Sequence, residues 1–147
     1  TPIMHVGKFS RGLGLCNPIE YIPSMELPDE EYPMKMMTGR VLYHYNACAM
    51  TDKTEGLNEI SGHSFIEINT EDAERIGIKD GDRVKVSSRR GSIETTANVS
   101  GKTNPGECWM PFHFLDGGAN WLTSDALDSI SSTPEYKVCA VKIENTK

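Results

Sequence analysis

The stretch that most constrains the fold is residues 83–99, "RVKVSSRRGSIETTANV", in which two alternating runs flank a short turn. Val84 and Val86 alternate with polar residues before Arg90-Gly91, and the second run alternates again after it. The inward members of that second run are Ile93, Thr95, Ala97 and Val99. Side chains of a strand point to opposite faces in turn, so each run predicts a strand that buries one face. With Arg90-Gly91 as the turn, the two runs predict a β-hairpin.

A strand and a short helix are predicted just before this hairpin. Residues 65–68 have the apolar content of a short strand. Asn69 follows as a candidate helix cap, and Glu71 and Asp72 fall in the first helical turn, where the helix dipole favours acidic side chains. Gly77 is suited to ending the helix. The sequence therefore predicts the order strand, helix, hairpin.

Further short strands are predicted on either side of that unit. The apolar run from Met34 to Met37 begins one, and "ECWMPF", residues 107–112, follows the turn signal Asn104-Pro105-Gly106. The continuous apolar run "YKVCAVKI", residues 136–143, is suited to a strand covered on both faces. Many short strands with brief helices are typical of a closed barrel and not of a layered α/β sheet. We expect a mainly β fold with short helices.

The first part of the chain is different in character. Pro23, Pro28 and Pro33 interrupt an acidic stretch in residues 1–33, and prolines at this spacing bar regular helix. We expect an extended N-terminal arm or linker over 1–33 and one barrel domain over 34–147. The Thr-Pro start without an initiator Met is expected of a piece cut from a longer chain.

Charge and composition exclude several classes of partner. The net charge is −6, so the field of the molecule repels nucleic acid, and any anion must be held by a local cationic cluster. No apolar run approaches the ~20 residues that span a bilayer. The four cysteines are widely separated, without a CxxC pair, which favours reduced thiols in a cytoplasmic protein over a metal site.

A first cluster of candidate binding residues lies in "TGRVLYHYNACAMT", residues 38–51. Gly39 would allow close approach of the backbone to a ligand, and Arg40 offers a planar set of donors suited to phosphate or to a heterocycle. An ordinary turn with a solvated arginine is the simpler interpretation of a Gly-Arg pair. The polar side chains that follow it closely favour a site instead; the cluster comprises Thr38, Gly39, Arg40, His44, Tyr45 and Asn46.

Two more candidate segments follow in the sequence. In "MPFHFLDGGANWLT", residues 110–123, Phe112 and Phe114 bracket His113, and Asn120 can pair with both a donor and an acceptor on a ring edge. A strand edge with a satisfied histidine is an equally good interpretation of this segment. Lys137, before the last apolar run, is placed to hold an anion, although a lone lysine there is usually solvated. Arg89-Arg90 is better explained as the hairpin tip than as a phosphate clamp.

Catalysis by these residues alone has little support. The chain has no nucleophile-elbow motif, no HExxH, and neither a P-loop nor a GxGxxG opening a helix. Cys48 is no better a nucleophile candidate than a structural thiol. The polar clusters are typical of ligand binding.

The ordered motifs of the chain resemble one known family. "TGRVLYHYNACAMT", "FIEINTEDAERIGIKDGDRVKVSSRRGSI", "PGECWMPFHFLDGGANWLT" and "PEYKVCAVKI" resemble the C-terminal molybdopterin-dinucleotide-binding domain of the molybdenum and tungsten oxidoreductases. Within that superfamily they are most similar to the catalytic alpha subunit of formate dehydrogenase. The resemblance implies a six-stranded double-psi β-barrel, aspartate-decarboxylase-like in fold.

The resemblance also implies which residues contact the cofactor, molybdopterin guanine dinucleotide. It places residues 38–47 along one dinucleotide, with Arg40 and His44 as the main side-chain donors, and it places Phe112 near the substrate channel. Further contacts are implied in the "AN-LT" and "P-EYK" motifs. The implied set is Thr38, Gly39, Arg40, Val41, Leu42, His44, Tyr45, Asn46, Phe112, His113, Asn120, Tyr136 and Lys137.

The redox machinery of this family is missing from these residues. The metal-ligating cysteine or selenocysteine, its catalytic neighbours and the iron-sulfur motif are not present, so the resemblance implies one domain of a larger enzyme. There the cofactor would be the bis form with molybdenum or tungsten, and the partners would be the remainder of the catalytic subunit, electron-transfer subunits and the substrate formate. We expect no catalytic residue and no metal ligand in this chain itself.

The chain departs from the family pattern at one motif. Where relatives commonly have "HYNTGTMTR", this chain has "HYNACAMTD", so that Ala47, Cys48 and Asp52 replace a threonine, a glycine and an arginine. Three other functions stay open at this point. They are a nitrate reductase-like oxidoreductase domain, a stand-alone accessory subunit of a formylmethanofuran dehydrogenase-type enzyme, and a double-psi barrel that binds proteins as an adaptor.

Overall fold

A computed structural model describes residues 2–146, and within them six strands close into one barrel. The strands are β1 (Met34–Gly39), β2 (Phe65–Asn69), β3 (Arg83–Ser88), β4 (Gly91–Ser100), β5 (Glu107–Pro111) and β6 (Val138–Asn145). The helices of this range are α1 (Glu55–Ser61) and α2 (Thr70–Ile76), with single 3-10 turns at Thr51–Lys53 and Ala119–Trp121.

The order of strands around the barrel is β1-β5-β2-β4-β3-β6. Two of the pairings are parallel, β1 with β5 and β2 with β4, and the other four are antiparallel. The parallel pairs join strands that are distant in sequence, so the two halves of the chain interlock around a common core. This is the six-stranded double-psi β-barrel that the family resemblance implied.

The barrel interior is filled by the inward members of the alternating strands. Burial alternates along β1, where Met34 and Met36 point inward, and along β3, where Val84 and Val86 do so. Removing these side chains from water is the main stabilising contribution to such a core. The fully buried larger side chains of the interior include Met36, Ile66, Ile68, Val84, Val86, Cys108, Met110, Leu122, Cys139 and Val141.

The predicted order of strand, helix and hairpin is confirmed, but the hairpin turn is Arg89-Arg90 and not the predicted Arg90-Gly91. The Asn69 side chain accepts a hydrogen bond from the Glu71 backbone N–H at the start of α2. Gly77 ends the helix with a positive φ of 71°, a conformation that glycine adopts without strain. Strands β3 and β4 pair antiparallel with Ser88 opposite Gly91, so Arg89 and Arg90 form the two-residue tip.

Residues 2–33 contain no helix or strand, and part of this segment is fastened to the barrel. Glu26 and Asp29 form ion pairs with the arginines of the hairpin tip, and the Met25 N–H donates to the Glu135 carboxylate at 3.1 Å. The division of the chain into an arm over 1–33 and a barrel domain over 34–147 stays a prediction.

Some elements differ from the sequence predictions. Helix α1 was not predicted, because none of its residues is buried and Thr54 provides no side-chain cap, so it lacks the amphipathic pattern of a longer helix. Strand β6 begins at Val138, which leaves Tyr136 and Lys137 in the preceding loop. Within residues 2–146, no helix has both the length and the apolar character that crossing a bilayer requires.

Candidate functional site

A cavity of about 440 Å³ lies at one end of the barrel. Because β1 and β5 run parallel with Gly39 opposite Pro111, their carboxyl ends meet there and bring Arg40 beside Phe112. The Phe112 N–H donates to the Gly39 carbonyl at 3.2 Å, which fixes this junction. The lining residues are Arg40, Asn46, Ala47, Phe112, Asn120, Pro134 and Tyr136, and this space is called the first cavity below.

Two cations flank the aromatic wall of the first cavity. The Arg40 guanidinium lies over the Phe112 ring at 5.4 Å, and the Lys137 ammonium lies 5.2 Å from the same ring and 5.0 Å from that of Tyr136. Among residues 2–146, no carboxylate lies within ion-pair distance of either cation. The site therefore combines uncompensated positive charge with aromatic surface in a chain whose net charge is −6.

Asparagine side chains complete the polar lining. Asn46 has a left-handed backbone with φ 49°, which asparagine tolerates, and its amide oxygen lies 3.5 Å from an Arg40 nitrogen. Asn120 lies exposed on the 3-10 turn Ala119–Trp121. Its amide can pair with the edge of a heterocycle, whereas Arg40 and Lys137 are suited to anionic oxygens.

Several residues of the sequence-predicted set have structural contacts instead. The Thr38 hydroxyl donates to the Tyr136 carbonyl at 2.7 Å, which ties β1 to the segment before β6. His44 is buried, with Nδ1 2.9 Å from the Thr51 hydroxyl and Nε2 2.6 Å from the Ser61 carbonyl. Both nitrogens are thus engaged within the chain, an arrangement that differs from the expected donor role of His44.

Gly39 also differs from its expected role. A Cβ at Gly39 would lie 2.5 Å from the indole nitrogen of Trp109, so the space in front of this glycine is taken by a side chain of the chain itself. Gly39 is therefore required for packing on Trp109, and its expected close approach to a ligand is not the constraint in this arrangement.

A second cavity, of about 470 Å³, lies on the other side of Arg40. Val41 and Leu42 line it, together with the aromatic rings of Phe65 and Trp109. The remaining lining residues are Met37, Arg40, Glu67, Lys102 and Thr103. Tyr45 is in neither cavity, since its hydroxyl contacts the Met50 sulfur at 2.9 Å.

His113 is buried beneath the site and does not line the first cavity. Its ring packs against Phe114, with centroids 4.4 Å apart, and against His44 at 5.4 Å. Among the residues that the structure describes, neither ring nitrogen has a hydrogen-bond partner. Burial, and secondarily the neighbouring His44, lower the pKa of His113. The ring is therefore held neutral, which favours a packing role.

We expect His113 to make the chain sensitive to acid. The unfolded chain protonates this ring near its ordinary pKa of about 6.5, whereas the folded chain resists protonation, so the unfolded state binds more protons as pH falls. Stability contributed by neutral His113 is thus lost below that pH. Thermal melts of His113→Leu should show a smaller drop in Tm between pH 7.5 and 5.5, by roughly 2–4 °C. Equal drops for the variant and the parent would contradict this.

The departure from the family motif at Cys48 has a backbone consequence. Cys48 has a positive φ of 59°, the conformation that glycine adopts freely, and its side chain is buried. Burial, and secondarily the charge of Asp52, raise the pKa of the Cys48 thiol despite a hydrogen bond with Thr51. A raised pKa disfavours the thiolate, so the structure gives no support to Cys48 as a nucleophile.

A matched pair of variants measures the backbone strain at Cys48. Cys48→Gly and Cys48→Ala both delete the thiol, but only glycine relieves the left-handed conformation. We expect Cys48→Gly to be more stable than Cys48→Ala by about 1 kcal/mol, the reverse of the usual order within helices and strands. Denaturant unfolding of the two variants checks this. If Cys48→Ala were at least as stable as Cys48→Gly, the backbone around residue 48 would have relaxed out of the left-handed conformation.

Part of the lining of the two cavities was not predicted from the sequence. Pro134 borders the first cavity, and the quoted "PEYKVCAVKI" motif contained the signal, because this proline precedes Tyr136 and Lys137 closely. No local sequence pattern marked Trp109 and Thr103 as lining residues of the second cavity, because only closure of the barrel brings them close to Arg40. Among the described residues, no group of three or more His, Cys, Asp or Glu is placed to hold a metal ion.

Comparison with known proteins gives the family of this chain. Residues 34–140 match the family described as "Molydopterin dinucleotide binding domain". The chain is 47% identical, over 98% of its length, to F420-dependent formate dehydrogenase 2 subunit alpha of Methanococcus maripaludis, of which it covers 22%. It is 43% identical to the nitrate reductase of Symbiobacterium thermophilum, over 81% of this chain and 16% of that protein.

The chain thus spans about a fifth of the length of the curated relatives it matches. Among solved structures, acetylene hydratase from Pelobacter acetylenicus has a similar fold, with a TM-score of 0.68 at 15% identity over 78% of this chain and 18% of that one. The family match covers β1 to β5 in full and the first three residues of β6. From these matches, the chain belongs to the molybdopterin dinucleotide-binding domain family.

Proposed function

We propose that this chain is the C-terminal domain of a formate dehydrogenase-like molybdenum or tungsten oxidoreductase and that its first cavity holds part of a molybdopterin guanine dinucleotide. The observation that carries the proposal is the pair of cations, Arg40 and Lys137, that flank an aromatic wall without a carboxylate partner among the described residues. A pyrophosphate linkage bears negative charge, and a guanine ring is flat and polar at its edge. Both features match the lining.

Each lining residue has a role that its chemistry suggests. Arg40 presents planar donors suited to two phosphate oxygens at once, whereas Lys137 acts as a compact charge. Phe112 and Tyr136 offer faces against which a ring can pack, and the Asn120 amide can both donate to and accept from a base edge. The cavity of about 440 Å³ is in the range of cavities that hold small ligands.

The cofactor, when bound in the whole enzyme, supplies the two-electron redox chemistry by which formate gives carbon dioxide, a proton and two electrons. The residues of this chain bind and orient one dinucleotide and shield it from water. We propose that the isolated domain is not catalytic. The metal ligand, the iron-sulfur region and any electron-transfer subunits then belong to other parts of the enzyme.

The N-terminal segment has features that favour the presence of a large partner. Apolar side chains along it are exposed, including Leu13 at 97% and Ile19 at 91%. Such surface is costly to leave in water, and we propose that residues 1–33 form an arm that packs against the remainder of the catalytic subunit, with 34–147 as the barrel domain. We further propose a cytoplasmic location, since the four cysteines are free thiols.

A nitrate reductase-like enzyme is the second candidate function, favoured by the 43% identity to the nitrate reductase of Symbiobacterium thermophilum. We rank the formate dehydrogenase hypothesis higher, because the formate dehydrogenase relative matches 98% of this chain whereas the nitrate reductase matches 81%. A stand-alone accessory subunit would have to leave the apolar N-terminal segment in water or cover it with another chain. A protein-binding adaptor has no use for the two free cations.

The test uses the native polypeptide that contains this sequence, purified from its source cells. We expect a mass far above 16.3 kDa, guanine nucleotide released by acid hydrolysis, bound molybdenum or tungsten, and formate-dependent reduction of a redox dye. Dye oxidation by nitrate without formate activity would favour the second candidate. A polypeptide of 16.3 kDa that releases no nucleotide would overturn the proposal.

A further inference from the structure

Among residues 2–146, a cluster of three ion pairs lies outside the first cavity, where the N-terminal arm meets the barrel. Both Glu26 carboxylate oxygens pair with the Arg90 guanidinium, and the Oε1 atom also lies 3.3 Å from an Arg89 nitrogen. The same Oε1 accepts a hydrogen bond from the Ala140 N–H at 2.8 Å, near the start of β6. Glu26 therefore joins the arm, the hairpin tip and β6 at one point.

Arg90 extends this contact to a fourth segment. Besides pairing with Glu26, its Nη2 donates to the Leu122 backbone carbonyl at 2.7 Å. Leu122 is fully buried and caps the 3-10 turn Ala119–Trp121, and its own N–H donates to the Ala119 carbonyl. A Cβ at Gly91 would lie 3.5 Å from the Trp121 carbonyl, so the hairpin tip also packs directly on this turn.

The two backbone groups held in this way are close in sequence to two ligand-facing residues. Leu122 follows Asn120 by two residues, and Ala140 follows Lys137 by three. Asn120 lines the first cavity, and Lys137 lies on its aromatic wall. We infer that Arg90, held by Glu26, is a positioning residue that fixes Asn120 and Lys137 relative to each other for dinucleotide binding. This inference rests on the proposed function of the first cavity.

The electrostatics of the pair agree with a fixed geometry. The side chains of Glu26 and Arg90 are only 12% and 24% exposed, so water and salt screen their attraction poorly. Partial burial opposes ionisation of Glu26, but hydrogen bonds from Arg90 and Ala140 and the charges of both arginines keep its pKa below the usual value. The hydrogen bond to Glu26 raises the pKa of Arg90. Both groups are thus charged across the physiological range.

Arg90 also has a matched comparison within the same hairpin. Arg83, at the far end of β3, is 59% exposed and lies 3.8 Å from Glu94. It shares the charge and the hairpin of Arg90 but contacts neither the arm nor the Asn120 turn. An effect that depends only on the total charge of the hairpin would therefore appear equally in variants of Arg83 and Arg90.

The experiment titrates the cofactor-free form of the native polypeptide that contains this sequence, and its variants, with guanosine diphosphate as the probe, by calorimetry, and measures amide hydrogen exchange over residues 119–124. The test variants are Arg90→Gln, Glu26→Gln, the double variant and Arg90→Lys. Arg83→Gln controls for charge. Ile78→Val, a core substitution two residues after α2 and outside both cavities, controls for a general loss of stability.

We expect Arg90→Gln to weaken affinity for the probe by about tenfold and to speed exchange over 119–124, because a charge-assisted contact to the Leu122 carbonyl is lost. Glu26→Gln should act in the same direction, and the double variant should lose no more than the larger single effect. Arg90→Lys should recover part of the affinity, since it keeps the charge but lacks the second donor. Arg83→Gln and Ile78→Val should bind the probe like the parent.

Four results would overturn the inference. Parental affinity in Arg90→Gln would do so while leaving the proposed function intact, and so would an affinity loss matched by Ile78→Val at equal loss of Tm. Absence of probe binding by the parent chain would count against the proposed function itself and would remove the inference with it. If the parent binds the probe but no variant changes amide hydrogen exchange over residues 119–124, the positioning role specifically is excluded.

Discussion

Replacing Arg40 and Lys137 together with glutamine is expected to weaken binding of guanosine diphosphate to this chain by about 100-fold, or about 2.7 kcal/mol. Each cation lies 5.2–5.4 Å from the Phe112 ring and has no carboxylate partner among residues 2–146, so each is free to pair with phosphate oxygens. A hydrogen bond to a charged group contributes about 1.5–3 kcal/mol, so the loss of two such contacts accounts for the effect. Calorimetric titration at fixed ionic strength measures it.

The matched control for this pair is Lys79→Gln. Lys79 lies in the turn after α2, outside both cavities, and its substitution changes the net charge without touching the site. If the probe responded only to the total charge of the molecule, Lys79→Gln would lose about half as much binding free energy as the double variant, because it removes one positive charge and not two. Parental affinity in the double variant would remove the first cavity as the binding site. A higher salt concentration should weaken binding of the probe to the parent, because salt screens the charges of Arg40 and Lys137. It should weaken binding to the double variant less, because that variant lacks both charges.

The parts of this fold that were predictable are those whose causes are local. Residues 83–99 alternate with period two, and Asn69 and Gly77 have the chemistry of a helix cap and a helix stop, so the hairpin and α2 followed from neighbours within a few positions. The pairing of β1 with β5 joins residues about 70 positions apart. Nothing in either strand specifies the other, so the double-psi arrangement came from the family resemblance.

The same distinction explains the outcome at the candidate site. Arg40 and Phe112 were singled out separately, and barrel closure brings them to one cavity. His44 was expected to face a ligand because it lies four residues from Arg40, but its ring turns inward to Thr51 and Ser61, which lie in the unpredicted 3-10 turn and at the end of α1. A side chain's direction depends on partners that sequence proximity does not reveal.

Arg90 is the opposite case to His44, because its sequence pattern indicated little importance and the structure shows specific contacts for it. Arg89-Arg90 was interpreted as an ordinary hairpin tip, and the tip does lie between β3 and β4. Its partner Glu26 lies 64 residues earlier in a segment without regular structure, so no periodic pattern connects the two. Because both charges are mostly buried, their pairing is needed to offset the cost of desolvation, and the N-terminal arm thereby becomes part of the barrel's support.

The largest effect on folding is expected at Asn69, through the loss of two buried contacts at once. Its side-chain oxygen accepts from the Glu71 N–H at 2.9 Å, and its amide nitrogen donates to the Thr103 carbonyl at 2.6 Å in the loop before β5. Asn69→Ala removes the cap, at about 1 kcal/mol, and leaves the Thr103 carbonyl without this partner, at about 1–3 kcal/mol. We expect the free energy of unfolding to fall by about 2–3 kcal/mol, measured by urea denaturation.

Two further variants separate the contributions at Asn69. Asn69→Ser keeps a capping oxygen but is too short to reach the Thr103 carbonyl, so it should lose only the second part of the stability. Asn104→Ala removes an exposed side-chain contact with Glu107 in the same loop and should change stability by less than about 0.5 kcal/mol. If Asn69→Ala cost no more than Asn104→Ala, the Asn69 side chain would not join α2 to the β4–β5 loop. If Asn69→Ser were as damaging as Asn69→Ala, the contact with Thr103 would account for the whole effect and the cap for none of it.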